Sequence, residues 1–134
     1  MNVLSLTEPY ATLIKLGKKR IETRSWKTNY RGPLYIHSSS TKISKEDKNN
    51  TELMSLVNTA ELNYGNIICS CELVDCVEMT DDLIAEIKQN RDEYISGLYE
   101  NGRYAWILED VKVLDTPIKA KGRLGIWNFN QTDS

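Results

Sequence analysis

One segment of the chain holds most of the side chains that could bind an anion or move a proton. It reads Gly17-Lys18-Lys19-Arg20-Ile21-Glu22-Thr23-Arg24-Ser25-Trp26. On a strand alternate residues share a face, so Arg20, Glu22 and Arg24 would lie on one side together with Trp26. Lys19 and Arg24 suit a phosphate, the first as a point charge and the second as a bidentate fork. Glu22 could accept hydrogen bonds from a base amino group or lock Arg24 in place. Two environments stay open for this face: a solvated ladder of ion pairs, or a buried set that pairs internally or with a ligand.

Aromatic side chains next to this segment are candidates for stacking on a base. Trp26 and Tyr30 follow the charged residues directly, and Arg31 could reach a phosphate or order its own turn. An exposed ring contributes about 1–3 kcal/mol per stacked base. Trp106 and Trp127 lie in apolar stretches, which favour a place in the core. We therefore predict Trp26, Tyr30 and Arg31 as ligand contacts and the other two rings as core.

A helix expected before the charged segment adds a second place for an anion. Residues 3–6 form a short strand, Thr7 is a good N-cap, and Pro9 fits a first helical turn, where its missing N–H costs nothing. Tyr10 begins the apolar spacing of the helix, and Gly17 suits the position just after its end. Free N–H groups behind Thr7 could hold an anion. Thr7 and Tyr10 thus complete the predicted ligand-binding set.

The remaining sequence predicts strands and helices in irregular order. Strands are expected over residues 20–26, 34–37, 67–77, 103–114 and 122–129, and helices over residues 44–60 and from Thr80 to about residue 94 or 98. Thr116-Pro117 should end the strand before it. About six strands and three helices without regular βαβ alternation favour an α+β fold, a small barrel-like sheet with helices outside it. A single domain over residues 1–130 is expected, with a frayed tail at residues 131–134.

Composition excludes several classes of protein. The 134 residues are 40% hydrophobic and 27% charged with a net charge of −2, which argues against a disordered chain and a uniformly basic nucleic-acid coat. Residues 11–45 nevertheless hold nine Lys or Arg and one acid, an excess typical of an anion site or of a solvated face. No apolar run approaches the roughly 20 residues of a membrane span, and no leader is visible. We expect a cytoplasmic protein without membrane association.

The sequence predicts neither a metal nor a cofactor. Cys69, Cys71 and Cys76 lack paired C-x-x-C spacing and fall in an apolar strand, which predicts small buried side chains rather than zinc ligands. Phosphate-loop and dinucleotide fingerprints do not occur in the sequence. His37, the single histidine, could be a general base beside a run of serines. A structural role is favoured for it, because no nucleophile elbow is present.

The pattern Gly17-x-Lys19-x-x-Glu22-x-Arg24 is similar to the G-x-K-x-x-E-x-R signature of the ASCH domain, the activating-signal-cointegrator homology domain of the PUA-like superfamily. Further stretches resemble small bacterial single-domain members in the same order, and together they cover nearly all of the chain: residues 6–11, 30–34, 104–111 and 122–127. The resemblance implies a PUA-like six-stranded β-barrel with flanking helices. It also implies a basic cleft, lined by Lys19, Glu22 and Arg24, that binds RNA or a nucleotide-like ligand.

The same resemblance leaves enzymatic functions open. Some small relatives remove the acyl group from N4-acetylcytidine with a lysine, a threonine and a glutamate. Lys19 matches the lysine, but Glu22 stands at the threonine position, and Thr23 should face the other side of the strand. Glu93 or Glu100 would be the glutamate. Ribonuclease activity is also ascribed to bacterial members. In an enzyme, Lys19 would be the base or electrostatic stabiliser and Glu22 the acid or base.

A third hypothesis needs no small ligand. Residues 46–134 hold eight basic and 17 acidic side chains, and this acidic part could be a surface for a protein partner. The sequence thus predicts binding of RNA or a nucleotide-like molecule, and leaves hydrolysis in the same cleft and protein interaction as alternatives.

Overall fold

The computed structural model describes residues 1–130, and the predicted tail at residues 131–134 lies outside them. Strands and helices follow one another irregularly along the chain. In order they are β1 (Asn2–Leu6), α1 (Tyr10–Lys15), β2 (Ile21–Arg24), β3 (Gly32–Ser38), α2 (Lys45–Asn49), α3 (Thr51–Met54), a 3₁₀ helix (Thr59–Glu61), β4 (Asn66–Glu78), α4 (Asp81–Ile87), α5 (Arg91–Ile95), β5 (Tyr104–Lys119) and β6 (Ile126–Asn128). No helix within residues 1–130 is long and apolar enough to cross a membrane.

The six strands form one sheet in the order β2-β5-β4-β3-β1-β6. β1 and β3 run parallel, and every other neighbouring pair is antiparallel. β4 and β5 have 13 and 16 residues, and their pairing shifts register repeatedly. Such bulges bend and twist strands, and the sheet curls into a half-barrel. The predicted α+β fold with six strands and flanking helices is confirmed.

Apolar side chains of the strands fill the inside of the curled sheet. Leu4 and Ile36, from the parallel pair, and Trp106, from β5, are fully buried in one cluster. Trp127 is buried in a second cluster near β6. The predicted core positions of Trp106 and Trp127 are therefore confirmed. α1 packs on β3, β4 and β5, which fixes the chain where it enters β2.

Each of the two long predicted helices is divided at an asparagine. The helix expected over residues 44–60 consists of α2, α3 and the 3₁₀ helix, and the helix expected from Thr80 consists of α4 and α5. The Asn50 and Asn90 side chains accept hydrogen bonds from the backbone N–H three residues later, at 3.0 and 3.2 Å. Each asparagine is thus the N-cap of the second helix of its pair. The prediction that Thr80 caps α4 is confirmed.

The predicted end of the fifth strand is wrong, because β5 continues through Pro117. Ile118 pairs with Ile67, whereas Val113 pairs with Cys69, so β5 holds more residues than β4 between these pairs. Proline is tolerated in such a bulge because the ladder does not need its missing N–H. β6 is also shorter than the strand predicted over residues 122–129.

The start of α1 differs from its prediction as well. Pro9, not Thr7, is the N-cap residue, and it offers no side-chain hydrogen bond. The fully buried Glu8 carboxylate instead accepts hydrogen bonds from Thr12 N at 2.9 Å, Thr12 Oγ1 at 2.6 Å and Ser38 Oγ at 2.9 Å. Glu8 thus already supplies a negative charge at this helix start, and a ligand contact at Thr7 stays a prediction.

Candidate functional site

A tight reversal after α1 sets the direction of Lys19. Gly17 has a φ of 76°, the left-handed conformation expected just after a helix end. Its N–H donates to the Ile14 carbonyl at 3.0 Å, and the N–H groups of Lys18 and Lys19 both donate to the Leu13 carbonyl, at 3.0 and 3.1 Å. The chain turns back on itself here, so the Lys19 side chain is buried while Lys18 stays exposed.

Lys19 lies at the centre of the site and is only 1% exposed. Its Nζ donates to the carbonyl oxygens of Ile21 and Ser96, both at 2.6 Å, and lies 3.7 Å from Glu22 Oε1. Burial lowers the pKa of the Lys19 ammonium, and the Glu22 carboxylate opposes that shift. An ammonium has three protons, and two of them are donated to these carbonyls. Lys19 therefore helps to hold the site together, and its contact with a phosphate stays a prediction.

Glu22 and Arg24 form a fixed pair on β2. Glu22 is 7% exposed, and its Oε2 accepts a hydrogen bond from Arg24 Nε at 2.8 Å. Arg24 Nη2 donates to the Ser5 carbonyl at 3.2 Å, while Nη1 makes no hydrogen bond within residues 1–130. The guanidinium lies 5.9 Å from the centre of the Trp106 ring. On this face Glu22 is buried, Arg24 is partly buried and paired with it, and Arg20 is exposed. Arg24 keeps one free edge.

α5 closes the site from another side through Glu93. This residue is 6% exposed, and its two carboxylate oxygens accept hydrogen bonds from the N–H groups of Arg20 at 2.7 Å and Ile21 at 3.2 Å. Burial raises the pKa of Glu93, and the N–H of Arg20 opposes the shift. From the sequence, Glu93 was only one of two candidate glutamates of the hydrolase pattern. The Asn90-x-x-Glu93 spacing predicts a helix start, but it does not say which strand the glutamate contacts.

A cleft of about 630 Å³ opens between α2, β2 and the segment that follows α5. Its charged lining residues are Lys19, Arg24 and Arg103, which are basic, and Glu22, Glu46 and Asp47, which are acidic. The Tyr10 hydroxyl donates to Asp47 Oδ1 at 2.9 Å and so connects α1 with α2. Burial, together with this bond, raises the pKa of Tyr10. The cleft is balanced in charge, whereas the sequence predicted a basic one.

The basic excess of residues 11–45 is dispersed over the molecule. Of its nine basic residues, only Lys19 and Arg24 line the cleft. Lys18, for example, is exposed and donates to the Leu56 carbonyl at 2.7 Å. The chain reverses after α1 and then enters a curled sheet. Basic side chains that are close in the sequence therefore face different directions and do not form one basic surface.

Three of the predicted ligand contacts lie beyond the end of β2 and do not line the cleft: Trp26, Tyr30 and Arg31. Trp26 packs edge-on against Trp106, with 4.7 Å between ring centroids. The Tyr30 hydroxyl and the Arg31 guanidinium donate to carbonyls of their own turn. Their contact with a ligand stays a prediction. The structure does bring the other predicted contacts together in the cleft lining: Thr7, Tyr10, Lys19, Glu22 and Arg24.

His37 and the cysteines have structural surroundings. His37 is buried, its Nδ1 lies 3.0 Å from Ser5 Oγ, and its Nε2 lies 2.7 Å from the Ala120 carbonyl. Because a carbonyl only accepts, Nε2 holds the proton and Nδ1 accepts from the serine. All three cysteines are buried and free, and burial raises the pKa of Cys69 and Cys71 to about 12. Within residues 1–130 no group of His, Cys, Asp or Glu is arranged to hold a metal ion.

The curled six-stranded sheet, with helices outside it and a polar cleft beside its first two strands, defines a PUA-like α+β protein. The sequence profile of the ASCH domain matches residues 4–118. The chain belongs to the ASCH-domain family, and the resemblance seen in the signature residues is confirmed.

Relatives of known sequence or structure agree with this assignment. Activating signal cointegrator 1 of Homo sapiens is 27% identical over 129 residues, and that of Mus musculus is 27% identical over 128 residues. These matches cover 95% of this chain but 22% of each relative, so the chain spans about a fifth of the length of the curated relatives it matches. A crystal structure of a ZmASCH mutant from Zymomonas mobilis is similar with a TM-score of 0.50 and 18% identity, over 88% of this chain and 74% of that one. This last similarity shows the fold alone.

Proposed function

We propose that this ASCH domain binds a nucleotide-like ligand, either a free nucleotide or one nucleotide of an RNA, in the cleft at Arg24. The observation that supports it most is the free edge of the Arg24 guanidinium. Glu22 and the Ser5 carbonyl hold two of its nitrogens, and Nη1 has no partner within residues 1–130. A guanidinium held in this way is preorganised for phosphate, because little side-chain entropy is lost on binding. We also propose a cytoplasmic location for the protein, as expected from the sequence.

The acidic residues of the cleft favour a ligand that also has hydrogen-bond donors. Asp47 accepts from Tyr10 through Oδ1, and its Oδ2 has no partner within residues 1–130. Glu46 is exposed beside it. Carboxylates accept hydrogen bonds from base amino groups, whereas they repel a bare phosphate. A nucleotide satisfies both kinds of group, with its phosphate near Arg24 and its base near α2.

Lys19 and Glu22 serve this function as positioning residues. Glu22 holds Nε of Arg24, and Lys19 holds Glu22 while it also joins β2 to the segment after α5. Neither is expected to be the main contact for the phosphate. In this proposal, the Lys19 and Glu22 positions of the signature hold the guanidinium of Arg24 in a fixed orientation.

Calorimetric titration with the four ribonucleoside 5′-monophosphates tests this function. Arg24→Ala should weaken binding by at least about tenfold, since a charge-assisted hydrogen bond contributes roughly 1.5–3 kcal/mol. Arg20→Ala is the matched control, because Arg20 is an exposed arginine of the same segment outside the cleft. Its affinity should stay close to wild type. Unchanged affinity in Arg24→Ala contradicts the proposal, and absence of any binding favours the protein-interaction hypothesis.

One observation favours a second function, hydrolysis of an acylated nucleoside. Thr23 lines the same cleft as Lys19, although strand alternation predicted the opposite face. Its Oγ1 accepts a hydrogen bond from Leu98 N at 3.1 Å, so the hydroxyl proton remains available. The lowered pKa of Lys19 suits a base, but the Glu22 carboxylate 3.7 Å from its Nζ favours the charged ammonium. Binding is therefore the better supported function.

Release of acetate from N4-acetylcytidine tests the second function. The hydrolase hypothesis predicts turnover that Thr23→Val abolishes while cytidine binding persists. Thr28→Val is the matched control, because Thr28 lies in the turn after β2 and does not line the cleft. No turnover in the wild-type protein would eliminate this hypothesis for that substrate.

A further inference from the structure

A second cavity adjoins the cleft and has no part in the function proposed above. Its volume is about 310 Å³, and it shares four lining residues with the cleft: Ser5, Leu6, Thr7 and Arg24. The opposite wall comes from the segment between β5 and β6, through Gly122, Arg123, Leu124 and Gly125. Arg24 therefore stands at the boundary of the two cavities, and a ligand that extends across both would pass its side chain.

The second cavity differs from the cleft in its charge. Among the described residues that line it, Arg24 and Arg123 are basic and none is acidic. Arg123 is exposed and forms no hydrogen bond or ion pair within residues 1–130. Lys119 and Lys121 precede it in the same segment and are exposed as well. Unpaired positive charge beside a cavity favours an anionic ligand, and arginines favour phosphate in particular.

This segment is attached to the sheet, so Arg123 has a defined position. His37 Nε2 donates to the Ala120 carbonyl at 2.7 Å, and the Ala120 N–H donates to a carbonyl in the turn before β4 at 3.1 Å. A Cβ at Gly122 would lie 3.1 Å from both His37 Cε1 and Ser5 Oγ. A larger residue would therefore press on these side chains, and glycine lets the segment pack this closely against β1 and β3.

An apolar side chain lies beside these cations. Leu124 lines the second cavity and is 98% exposed. An exposed aliphatic side chain can be covered by the apolar face of an unpaired base, which removes apolar surface from water. The volume of this cavity lies at the lower end of the range of about 300–1,000 Å³ that is typical of small-molecule sites. It offers room for more than a phosphate ion.

We propose that the second cavity binds the neighbouring nucleotide of a single RNA strand, with the linking phosphate between Arg24 and Arg123 and the second base against Leu124. The inference rests on the proposed function, because the first nucleotide occupies the cleft. It assigns a ligand class to this protein: a strand of at least two nucleotides rather than a free nucleotide.

Binding of a mixed-sequence RNA hexamer, compared with the ribonucleoside 5′-monophosphates, tests the proposal. The hexamer should bind wild type about tenfold more tightly than the mononucleotides, and Arg123→Ala should remove most of that difference. Mononucleotide affinity should stay within about twofold in Arg123→Ala, and the salt slope for the hexamer should fall by about 0.7, the value for one single-strand phosphate. Leu124→Ser should weaken hexamer binding alone. Arg20→Ala is the matched control and should change neither ligand.

Failure of this inference is distinguishable from failure of the proposed function. Equal affinities for hexamer and mononucleotides, or an Arg123→Ala protein that binds the hexamer like wild type, overturn the second nucleotide site and leave the cleft untouched. Mononucleotide binding that does not depend on Arg24 overturns the proposed function. Hexamer binding that depends on Arg123 but not on Arg24 overturns the second nucleotide site as proposed, because the strand would then not cross the boundary.

Discussion

At the residue scale, the charged side chains of Lys19, Glu22 and Arg24 form a connected set, and Arg24 keeps one edge of its guanidinium free for a ligand. Lys19 donates to two carbonyls and lies 3.7 Å from Glu22, Glu22 accepts from Nε of Arg24, and Arg24 keeps Nη1 free within residues 1–130. Loss of Lys19 would remove the cation beside the buried Glu22 carboxylate and the ammonium donor of two carbonyls. Binding and folding can therefore be separated at Arg24 but not at Lys19.

Replacement of Lys19 should destabilise the protein strongly. Lys19→Met should lower the free energy of unfolding by about 3–5 kcal/mol, the typical cost of breaking a buried ion pair. Lys18→Met is the matched control, because Lys18 is exposed and bonds a single carbonyl; its change should stay below about 0.5 kcal/mol. Chemical denaturation followed by circular dichroism gives both values. Equal stability of the two variants would contradict the buried network.

One buried hydroxyl should be dispensable. Tyr99 is 8% exposed, and its hydroxyl is buried without a hydrogen-bond partner within residues 1–130. Such a group costs roughly 1–3 kcal/mol, so Tyr99→Phe should raise the free energy of unfolding by about 1 kcal/mol. Tyr94, stacked on Tyr99 at 5.7 Å and only partly buried, is the control, and Tyr94→Phe should be neutral. A lower melting temperature of Tyr99→Phe would show that the hydroxyl has a partner after all.

At the scale of elements, the cleft exists because two divided helices frame one end of the sheet. α2 brings Asp47 to Tyr10, and α5 brings Glu93 to the start of β2. Arg91 of α5 also bonds Glu52 of α3, at 2.6 and 2.7 Å. Both partners of that pair are exposed, so it contributes little stability. Glu93 is thus the buried polar contact that joins α5 to the start of β2.

Two cap substitutions should have equal effects on stability but different effects on binding. Asn90→Ala and Thr80→Ala each remove an N-cap, worth about 1 kcal/mol. α5 positions the cleft wall through Glu93, whereas α4 does not line the cleft. Only Asn90→Ala should weaken nucleotide binding, by about threefold or more. Calorimetric titration with a ribonucleoside 5′-monophosphate measures the affinity of both variants, whose losses of stability should be equal. Equal affinities would contradict the positioning role of α5.

At the scale of the whole molecule, the sequence predicted elements and class better than contacts between distant segments. The apolar run of β4 predicted a strand almost to its observed ends, because its period is local. Leu53 and Leu56 have helical spacing but both follow Asn50, so this pattern alone did not reveal the division there. The signature residues of β2 were recognisable, but Asp47 and Glu93 reach the site from segments far along the chain, and no local pattern encodes that approach.

His37 joins β1, β3 and the segment before β6, so its protonation should affect the entire fold. Burial lowers its pKa below the ordinary value of 6.5, and the unfolded chain therefore binds a proton at higher pH than the folded one. The stability due to neutral His37 is fully present above pH 6.5 and is lost as the pH falls through the folded pKa, by at most about 1.4 kcal/mol per pH unit.

Melting temperatures measured between neutral pH and mildly acidic pH test this linkage. The wild-type value should fall more steeply on acidification than that of His37→Gln, which lacks the titrating group. The raised pKa of Glu93 acts in the opposite direction, but it is common to both proteins. Parallel pH profiles would contradict a buried neutral histidine.

The most direct test of the binding site is the arginine side-chain Nε–H spectrum in NMR, because the chain has only six arginines to resolve. Conservative Arg→Lys variants assign the signals, and ribonucleoside 5′-monophosphates are then titrated. Binding in the cleft predicts shifts at Arg24 and Arg103, with Arg20 and Arg31 unchanged. A shift at Arg31 with Arg24 unmoved would contradict it and place the ligand at the turn that contains Tyr30.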